Sequence, residues 1–236
     1  MRPQQTGADI VWERIKICFF EPLGVNQPTG SVLILNGLGY TLAITFGAVL
    51  IGAVLGVLVA MMRASDRRLL RWPAMFYIEC IRGTPVLVQL FIINFVIFAS
   101  VAVDKWLVAV IAFGVNSGAY ISEIVRAGIN AVAGGQMKAA LSLGMTRTMA
   151  MRCIVLPQAF KNILPALGNE FIVLLKETSV VGFIGGIDLM RAGDILRSKT
   201  YDAVVPLFAV AAIYLFLTVT LSQILQYVER RLAAHD

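Results

Sequence analysis

The stretch Gly134–Pro165, GGQMKAALSLGMTRTMAMRCIVLPQAFKNILP, decides how this chain is interpreted. It is the longest part of the chain that lacks a continuous apolar run. Small residues and thioethers recur in it at helical spacing: Met137, Ala140, Leu141, Gly144 and Met145. Pro157 is expected to interrupt the chain after this short helix. A polar helix between apolar segments, flanked by basic residues, indicates docking onto a partner protein.

The composition outside this stretch is that of a membrane protein. Of 236 residues, 58% are hydrophobic and 14% charged, with a mean hydropathy of +0.81. Soluble domains have about a quarter of their residues charged, so the polar surface that would cover a soluble fold is missing. The formal charge of +6 comes without a basic run or a basic patch interleaved with aromatic residues, which argues against nucleic-acid binding.

Residue types that support cofactor or metal chemistry are sparse. The three cysteines, Cys18, Cys80 and Cys153, lie far apart, and the single histidine is His235. Zinc, haem and thiol chemistry therefore have no support. The chain has no nucleotide-binding P-loop and not even a Gly-Lys dipeptide, so any ATP is expected to be hydrolysed by another polypeptide. We expect no catalysis, no cofactor and no metal in this chain.

Apolar segments long enough to cross a bilayer predict five transmembrane helices. Their approximate bounds are 33–62, 73–103, 106–129, 163–184 and 203–228. They form one transmembrane domain over 31–232, and residues 1–30 form an extracytoplasmic segment in which a helix from Asp9 to Phe20 is expected to lie along the interface. Gly47, Gly52 and Gly56 give the first span a stripe suited to close helix packing.

The second span contains a break at Gly83-Thr84-Pro85. Pro85 removes a backbone donor, and Thr84 can return a hydrogen bond to a freed carbonyl, so a kinked or two-part helix is predicted. Glu79 and Arg82 are three residues apart, and we expect them to form an ion pair rather than to touch substrate.

The orientation follows from the distribution of basic residues. The predicted inner segments hold more Lys and Arg than the outer ones, which places the N-terminus outside and the C-terminus inside. No internal repeat is visible, and one copy of five spans encloses little space. A solute path is therefore built more easily between two such chains.

The polar stretch carries a family motif. From Lys138 it has the pattern Lys-Ala-Ala-x3-Gly144-x9-Ile154-x-Leu156-Pro157, which resembles at every spacing the EAA loop of bacterial ABC-importer permease subunits. The chain also resembles the branch of that family that transports polar amino acids, at these further residues: 81–90, 119–126, 144–146, 156–159, 164–170 and 174–179. The likeness covers residues 33 to 232.

This resemblance implies an all-α type I ABC-importer permease fold with five transmembrane helices and a short cytoplasmic coupling helix. It implies a multi-pass protein of the bacterial cytoplasmic (inner) membrane. The implied partners are a second permease chain, identical or paralogous, two cytoplasmic ATPase subunits that bind ATP and Mg, and an extracytoplasmic amino-acid-binding protein. The coupling segment, residues 134–157, is implied to seat on the ATPase through these residues: Gly135, Lys138, Ala139, Ala140, Gly144, Met145, Leu156 and Pro157.

Lys138 departs from the family pattern, which has an acidic residue there. Either its charge matters little because the helix docks by shape, or the partner ATPase has an acidic groove that compensates for it.

Polar residues in the third and fourth spans and the loop after them are the candidate substrate path, because ionisable groups inside a membrane are costly. They are Glu123, Glu170, Lys176, Glu177, Thr178, Ser179, Asp188 and Arg191. Lys176 or Arg191 can hold an α-carboxylate, and Glu177 or Asp188 an α-ammonium. Thr178 and Ser179 can bond polar side chains. Two structural alternatives remain open: Lys176 forms an ion pair with Glu177 or Glu170, and Glu123 forms one with Arg126.

The expected function is therefore that of a permease for polar amino acids, driven by a separate ATPase. The alternatives are an ABC permease for another small solute, an exporter, an ATP-independent channel or secondary transporter, and a structural membrane subunit.

Overall fold

The computed structural model describes residues 7–24 and 27–233, and these residues form helices joined by short connections. Part of the predicted N-terminal segment and His235 lie outside the described residues. The helices are α1 Gly7–Phe19, α2 Gly30–Ala64, α3 Arg68–Arg82, α4 Val86–Ile92, α5 Lys105–Asn130, α6 Gly134–Ser142, α7 Arg147–Ala150, α8 Leu156–Glu177, α9 Leu189–Thr200 and α10 Val204–Ala233. A π-helical turn, Ile93–Ile97, follows α4, another, Met151–Val155, joins α7 to α8, and a 3₁₀ turn, Thr178–Ile184, follows α8.

The predicted all-α class is confirmed, and several of the helices are suited to a membrane. Of the described helices, α2, α5 and α10 are long and apolar enough to cross one, and α3 with α4 makes a fourth span if the bent pair is counted as one. Helix α8, which carries Lys161, Glu170, Lys176 and Glu177, is not among them. The count of five spans therefore stays a prediction.

Helices α2 and α5 form the frame of the fold through the glycine stripe that the sequence predicted. A Cβ atom at Gly52 would lie 2.9 Å from the Cβ atom of Ser117, and one at Gly56 would lie 2.7 Å from that of Ile121. The two backbones approach this closely because the glycines carry no side chain. Since the paired residue numbers rise together, α2 and α5 run parallel, as the first and third spans of the prediction do.

The break at Thr84-Pro85 divides the predicted second span into two helices. Helices α3 and α4 meet at an angle of 109°. The Thr84 hydroxyl donates a 2.8 Å hydrogen bond to the carbonyl of Cys80, which is the compensation predicted for the proline. The predicted ion pair of Glu79 with Arg82 is wrong: the Arg82 guanidinium instead lies over the Tyr120 ring, 5.4 Å from its centroid.

Pro157 does not interrupt the chain, contrary to the expectation. Leu156 keeps helical backbone angles, and Pro157 sits in the first turn of α8. A proline is tolerated in a first turn, and here the wide π-helical turn Met151–Val155 precedes it. The helical path from Arg147 to Glu177 is therefore unbroken.

The two ends of the molecule differ. At the end where α2 begins, here called the α9 end, α9 covers α2 with a cluster that includes Cys18, Ile34, Leu189 and Leu196. At the opposite end, called the α6 end, α6 and α7 follow α5 and lead into α8. A second apolar core, around Phe113, fills the space between α2, α4, α5 and α8.

Candidate functional site

The polar segment at the α6 end is a helix–turn–helix unit with a sharply defined turn. Gly144 lies two residues beyond the end of α6, and its φ of +85° lies in the left-handed region that favours glycine. The Gly144 amide donates to the carbonyl of Leu141 (3.0 Å), and the Met145 amide donates to that of Ala140 (3.1 Å). This pair of hydrogen bonds is the Schellman motif, which satisfies the last carbonyls of a helix. Gly144 therefore terminates α6 and turns the chain towards α7.

The next helix starts from a cap of its own. The Thr146 side chain accepts a hydrogen bond from the Met149 amide at 3.3 Å, which fixes the N-terminus of α7. Ala150, Val155 and Ala159 are buried below it. The turn between α6 and α7 is therefore held from both sides.

Most of this unit is exposed, although it is well ordered by its own hydrogen bonds. Lys138 and Ala139 are exposed, as are Leu156 and Pro157 at the start of α8, whereas Ala140 is buried and Met145 half-buried. A Cβ atom placed on Gly135 or Gly144 would meet nothing within 4 Å. Leu143, at the tip of the turn, is 84% exposed. An open face of small residues with a protruding leucine is a surface on which a partner can seat closely.

Helix α8 connects this unit to the polar residues on the far side of the fold. The helical path from Arg147 to Glu177 spans roughly 45 Å at the α-helical rise per residue. Glu170 lies along it and accepts a 3.0 Å hydrogen bond from the Ser117 hydroxyl of α5. A displacement of α6 and α7 would therefore be carried by α8 towards Lys176.

Three of the predicted substrate-path residues line two adjoining cavities near the α9 end. One cavity, of about 410 Å³, is lined by Lys176 and Ser179 together with α10 residues. The other, of about 260 Å³, is lined by Ser179 and Arg191. Ser179 and Met190 belong to both. The Arg191 guanidinium also donates to the Asp194 carboxylate at 2.8 Å, so its charge is already partly matched.

The side chains of Thr178 and Asp188 are hydrogen-bonded to main-chain groups. The buried Thr178 hydroxyl donates to the carbonyl of Leu175. Asp188 is fully buried at the start of α9 and accepts hydrogen bonds from the amides of Met190 and Arg191. It lies in the connection after the predicted fourth span, where burial raises its pKa to about 6 against the opposing effect of those bonds.

Glu123 lies apart from these groups, at the α6 end. Its carboxylate forms ion pairs with Arg126, at 2.7 Å, and with Arg63 of α2. The pairing with Arg126 was one of the two alternatives that the sequence left open. The bridge to Arg63 was not predicted, because residues 60 positions apart give no spacing signal.

Gln89 is a functional candidate that the sequence reasoning missed. Its buried side-chain amide donates to the carbonyls of Ile81 and Thr84, and its oxygen accepts from the Asn116 amide of α5 at 3.0 Å. The break between α3 and α4 frees carbonyls that need donors, and a lone glutamine shortly after a Thr-Pro break is the signal that could have identified it. Gln89 thus ties the bend to α5.

Comparison with known proteins identifies the family of this chain. Residues 48–234 match the family model described as the inner membrane component of binding-protein-dependent transport systems. This chain belongs to that family. It is a membrane permease subunit, which is the resemblance that the Lys138–Pro157 motif indicated.

Individual relatives cover most of the chain. A putative glutamine transport system permease protein GlnP of Rickettsia felis is 40% identical over 85% of this chain and 93% of its own length. The arginine transport system permease protein ArtQ of Bacillus subtilis is 42% identical over 86% of this chain and 94% of its own length. A crystal structure of an amino acid ABC transporter with histidines superposes with a TM-score of 0.82 at 49% identity, over 85% of this chain and 94% of that one.

Proposed function

We propose that this chain is the permease subunit of an ABC importer for polar amino acids, and that its α6–α7 unit is the docking surface for a separate ATPase. The observation that carries the proposal is the ordered but exposed turn at Gly144, placed at one end of a helical path that reaches Lys176 at the other. Relatives named for glutamine and arginine transport support the substrate class. ATP and Mg are bound by the ATPase, and this chain has no catalytic role.

Docking would be recognition of a helix by a groove. Ala139 and Gly144 are exposed and allow the ATPase surface to approach the α6 backbone, while Leu143 offers an exposed apolar side chain. Ala140, which the sequence placed in the docking surface, is buried and packs inside the unit instead. When two ATPase subunits close on ATP, each would push one α6–α7 unit. Because α7 leads into α8 without a break, the push would reach the fourth span as a rigid-body displacement.

The substrate path would lie where Lys176, Glu177 and Ser179 face a second permease copy. Lys176 is exposed and Glu177 half-buried in the single chain, and the cavities beside them are open. A second copy, identical or paralogous, would close this space and remove the charges from contact with lipid. Lys176 would hold the substrate carboxylate and Glu177 its ammonium group, with Arg191 and Asp194 as a charged pair near the entrance.

The membrane orientation follows from the same assignment. With α6 and α7 on the cytoplasmic side, the N-terminus and α9 lie outside, where an amino-acid-binding protein delivers substrate. Lys138 is exposed in the middle of α6, and we assign docking to shape rather than to its charge. Replacement Lys138→Glu should then leave ATPase co-purification unchanged, whereas a loss of assembly would indicate an acidic groove on the ATPase.

Transport measurements on two single variants test the substrate assignment. Lys176→Ala and Glu177→Ala should each reduce amino acid uptake while the complex with the ATPase stays intact, because each removes one of two charges that match a zwitterion. Lys199→Ala, on exposed α9 surface, is the matched control and should transport normally. Unaltered uptake of every amino acid by both variants would refute the substrate site and leave the docking proposal untouched.

A further inference from the structure

Four arginines lie close together in the last turn of α2, the α2–α3 connection and the first turn of α3: Arg63, Arg67, Arg68 and Arg71. Arg63 is paired with Glu123. The side chains of the other three are exposed, and none of them forms an ion pair with a residue that the structure describes. Arg82, Arg126 and Glu79 also lie within electrostatic range of Arg63, and Asp66 lies in the same connection, so arginines outnumber carboxylates on this surface.

Arginines at the opposite end of the molecule are matched within the chain. Arg14 pairs with Asp202 at 3.5 Å, and Arg191 and Arg197 both pair with Asp194, at 2.8 and 2.6 Å. Arg67, Arg68 and Arg71, which have no ion pair within the described residues, are therefore available to an anionic group from outside the chain.

Helix α3 places apolar side chains directly beside these arginines. Leu69, Trp72 and Phe76 are 85%, 71% and 71% exposed, and their spacing of three and four residues puts them on one helical face. Another face of α3, with Ala74 and Ile78, is buried against the rest of the protein. Helix α3 therefore has a packed face, an exposed apolar face and an arginine-rich face.

The exposed apolar face of α3 continues an apolar surface on α2. Leu58 and Met61, in the last turns of α2, are also exposed. Since α2 is long and apolar enough to cross a membrane, this surface is where lipid tails lie. Aromatic side chains and arginines beside such a surface are typical of the level of the phospholipid headgroups.

We propose that Arg67, Arg68 and Arg71, with Trp72 beside them, bind the headgroups of anionic phospholipids. A guanidinium group donates two parallel hydrogen bonds to a phosphate, and Trp72 packs against the region where the acyl chains begin. Clusters of basic residues next to a membrane helix bind anionic lipid in this way. An acidic surface of the ATPase, or the second permease copy, is the competing occupant.

Quenching of Trp72 fluorescence by brominated lipids distinguishes these occupants. The chain has three tryptophans, and Trp12→Phe with Trp106→Phe leaves Trp72 alone. The full-length permease, with and without its ATPase, is placed in nanodiscs of brominated phosphatidylglycerol or brominated phosphatidylcholine. Arg68→Gln with Arg71→Gln removes two of the proposed ligands, and Arg230→Gln with Arg231→Gln removes the same charge from the end of α10.

The proposal predicts that phosphatidylglycerol occupies the site next to Trp72 at least about fivefold more readily than phosphatidylcholine, which is the ratio that about 1 kcal/mol of surface attraction from a single arginine produces. The preference should vanish in the Arg68/Arg71 variant and persist in the Arg230/Arg231 variant. Equal quenching by both lipids, or a preference that survives loss of Arg68 and Arg71, would overturn it. Quenching by neither lipid would show that a protein covers this face, and would overturn it as well.

Discussion

Replacement of Gly144 by alanine isolates the contribution of the turn between α6 and α7. A Cβ atom at this position meets nothing within 4 Å, so the substitution introduces no clash. The φ of +85° is instead the source of the cost, since a residue with a side chain pays roughly 1–2 kcal/mol in the left-handed region. If the ATPase binds the ordered turn, its apparent affinity for the permease should weaken by up to about 5- to 30-fold.

Gly134→Ala is the matched control in the same segment. Gly134 is equally open, but it lies in the first turn of α6 and its φ is not positive. Alanine is favoured over glycine in a helix by ~1 kcal/mol, so ATPase binding should stay the same or tighten slightly. Gly144→Asn should fall between the two, because asparagine tolerates the left-handed conformation.

The assay is binding of the purified ATPase to the permease in nanodiscs, measured with the thermal stability of each variant as a check on folding. If Gly144→Ala bound the ATPase as tightly as the original chain, or if the two alanine variants behaved alike, the ordered turn would not be part of the docked surface.

Three further predictions concern the frame and its buried polar groups. Gly56→Ala forces α2 and α5 apart and should cost about 1–3 kcal/mol of stability in a detergent unfolding titration. The control Gly39→Ala should be neutral, because its Cβ atom meets nothing within 4 Å, and equal stability of the two variants would contradict the packing. Gln89→Leu should cost about 1–3 kcal/mol of stability, because it leaves the carbonyls of the bend and the Asn116 amide without hydrogen-bond partners. A double-mutant cycle with Asn116→Leu should show coupling between the two residues, and additive losses of stability would refute the network. Because the pKa of Asp188 is raised from 3.8 to about 6, the folded state binds this proton more tightly than the unfolded state does. Stability should therefore rise by up to about 3 kcal/mol as pH falls from 6 towards 4, and thermal melts of Asp188→Asn should lack that rise. An identical pH profile for both proteins would count against the raised pKa.

The membrane class and the close contact of two spans could be predicted from sequence because their signals are local. Gly47, Gly52 and Gly56 recur on one helical face, and that repeat alone indicates where another backbone can approach. The turn at Gly144 was predictable for the same reason, since a glycine that follows a short helical pattern is a common way for a helix to end.

Other features depend on residues that only the fold brings together. Glu123 has a nearby partner in Arg126, but its second partner, Arg63, is on another helix. Arg82 was assigned to Glu79 on spacing, yet its guanidinium lies over the ring of Tyr120 of α5. Pro157 was expected to interrupt the helix, but the chain stays helical there. The π-helical turn that accommodates this proline could not be predicted, because it leaves no mark in the residue pattern.

The substrate path stays a prediction, and the structure adds where its residues lie. Lys176, Ser179 and Arg191 line adjoining cavities, whereas Thr178 and Asp188 are bonded to the main chain, a distinction that composition cannot make. A polar residue near a helix end can cap the helix or face a solute, and only the direction of its side chain separates these uses.

Uptake of radiolabelled amino acids into proteoliposomes tests the central claim most directly. The permease would be reconstituted with its ATPase and with an amino-acid-binding protein. The account predicts that a polar amino acid accumulates only when ATP is supplied on the ATPase side and the binding protein on the other side. Accumulation without the ATPase, or accumulation of another solute while every polar amino acid is excluded, would contradict it.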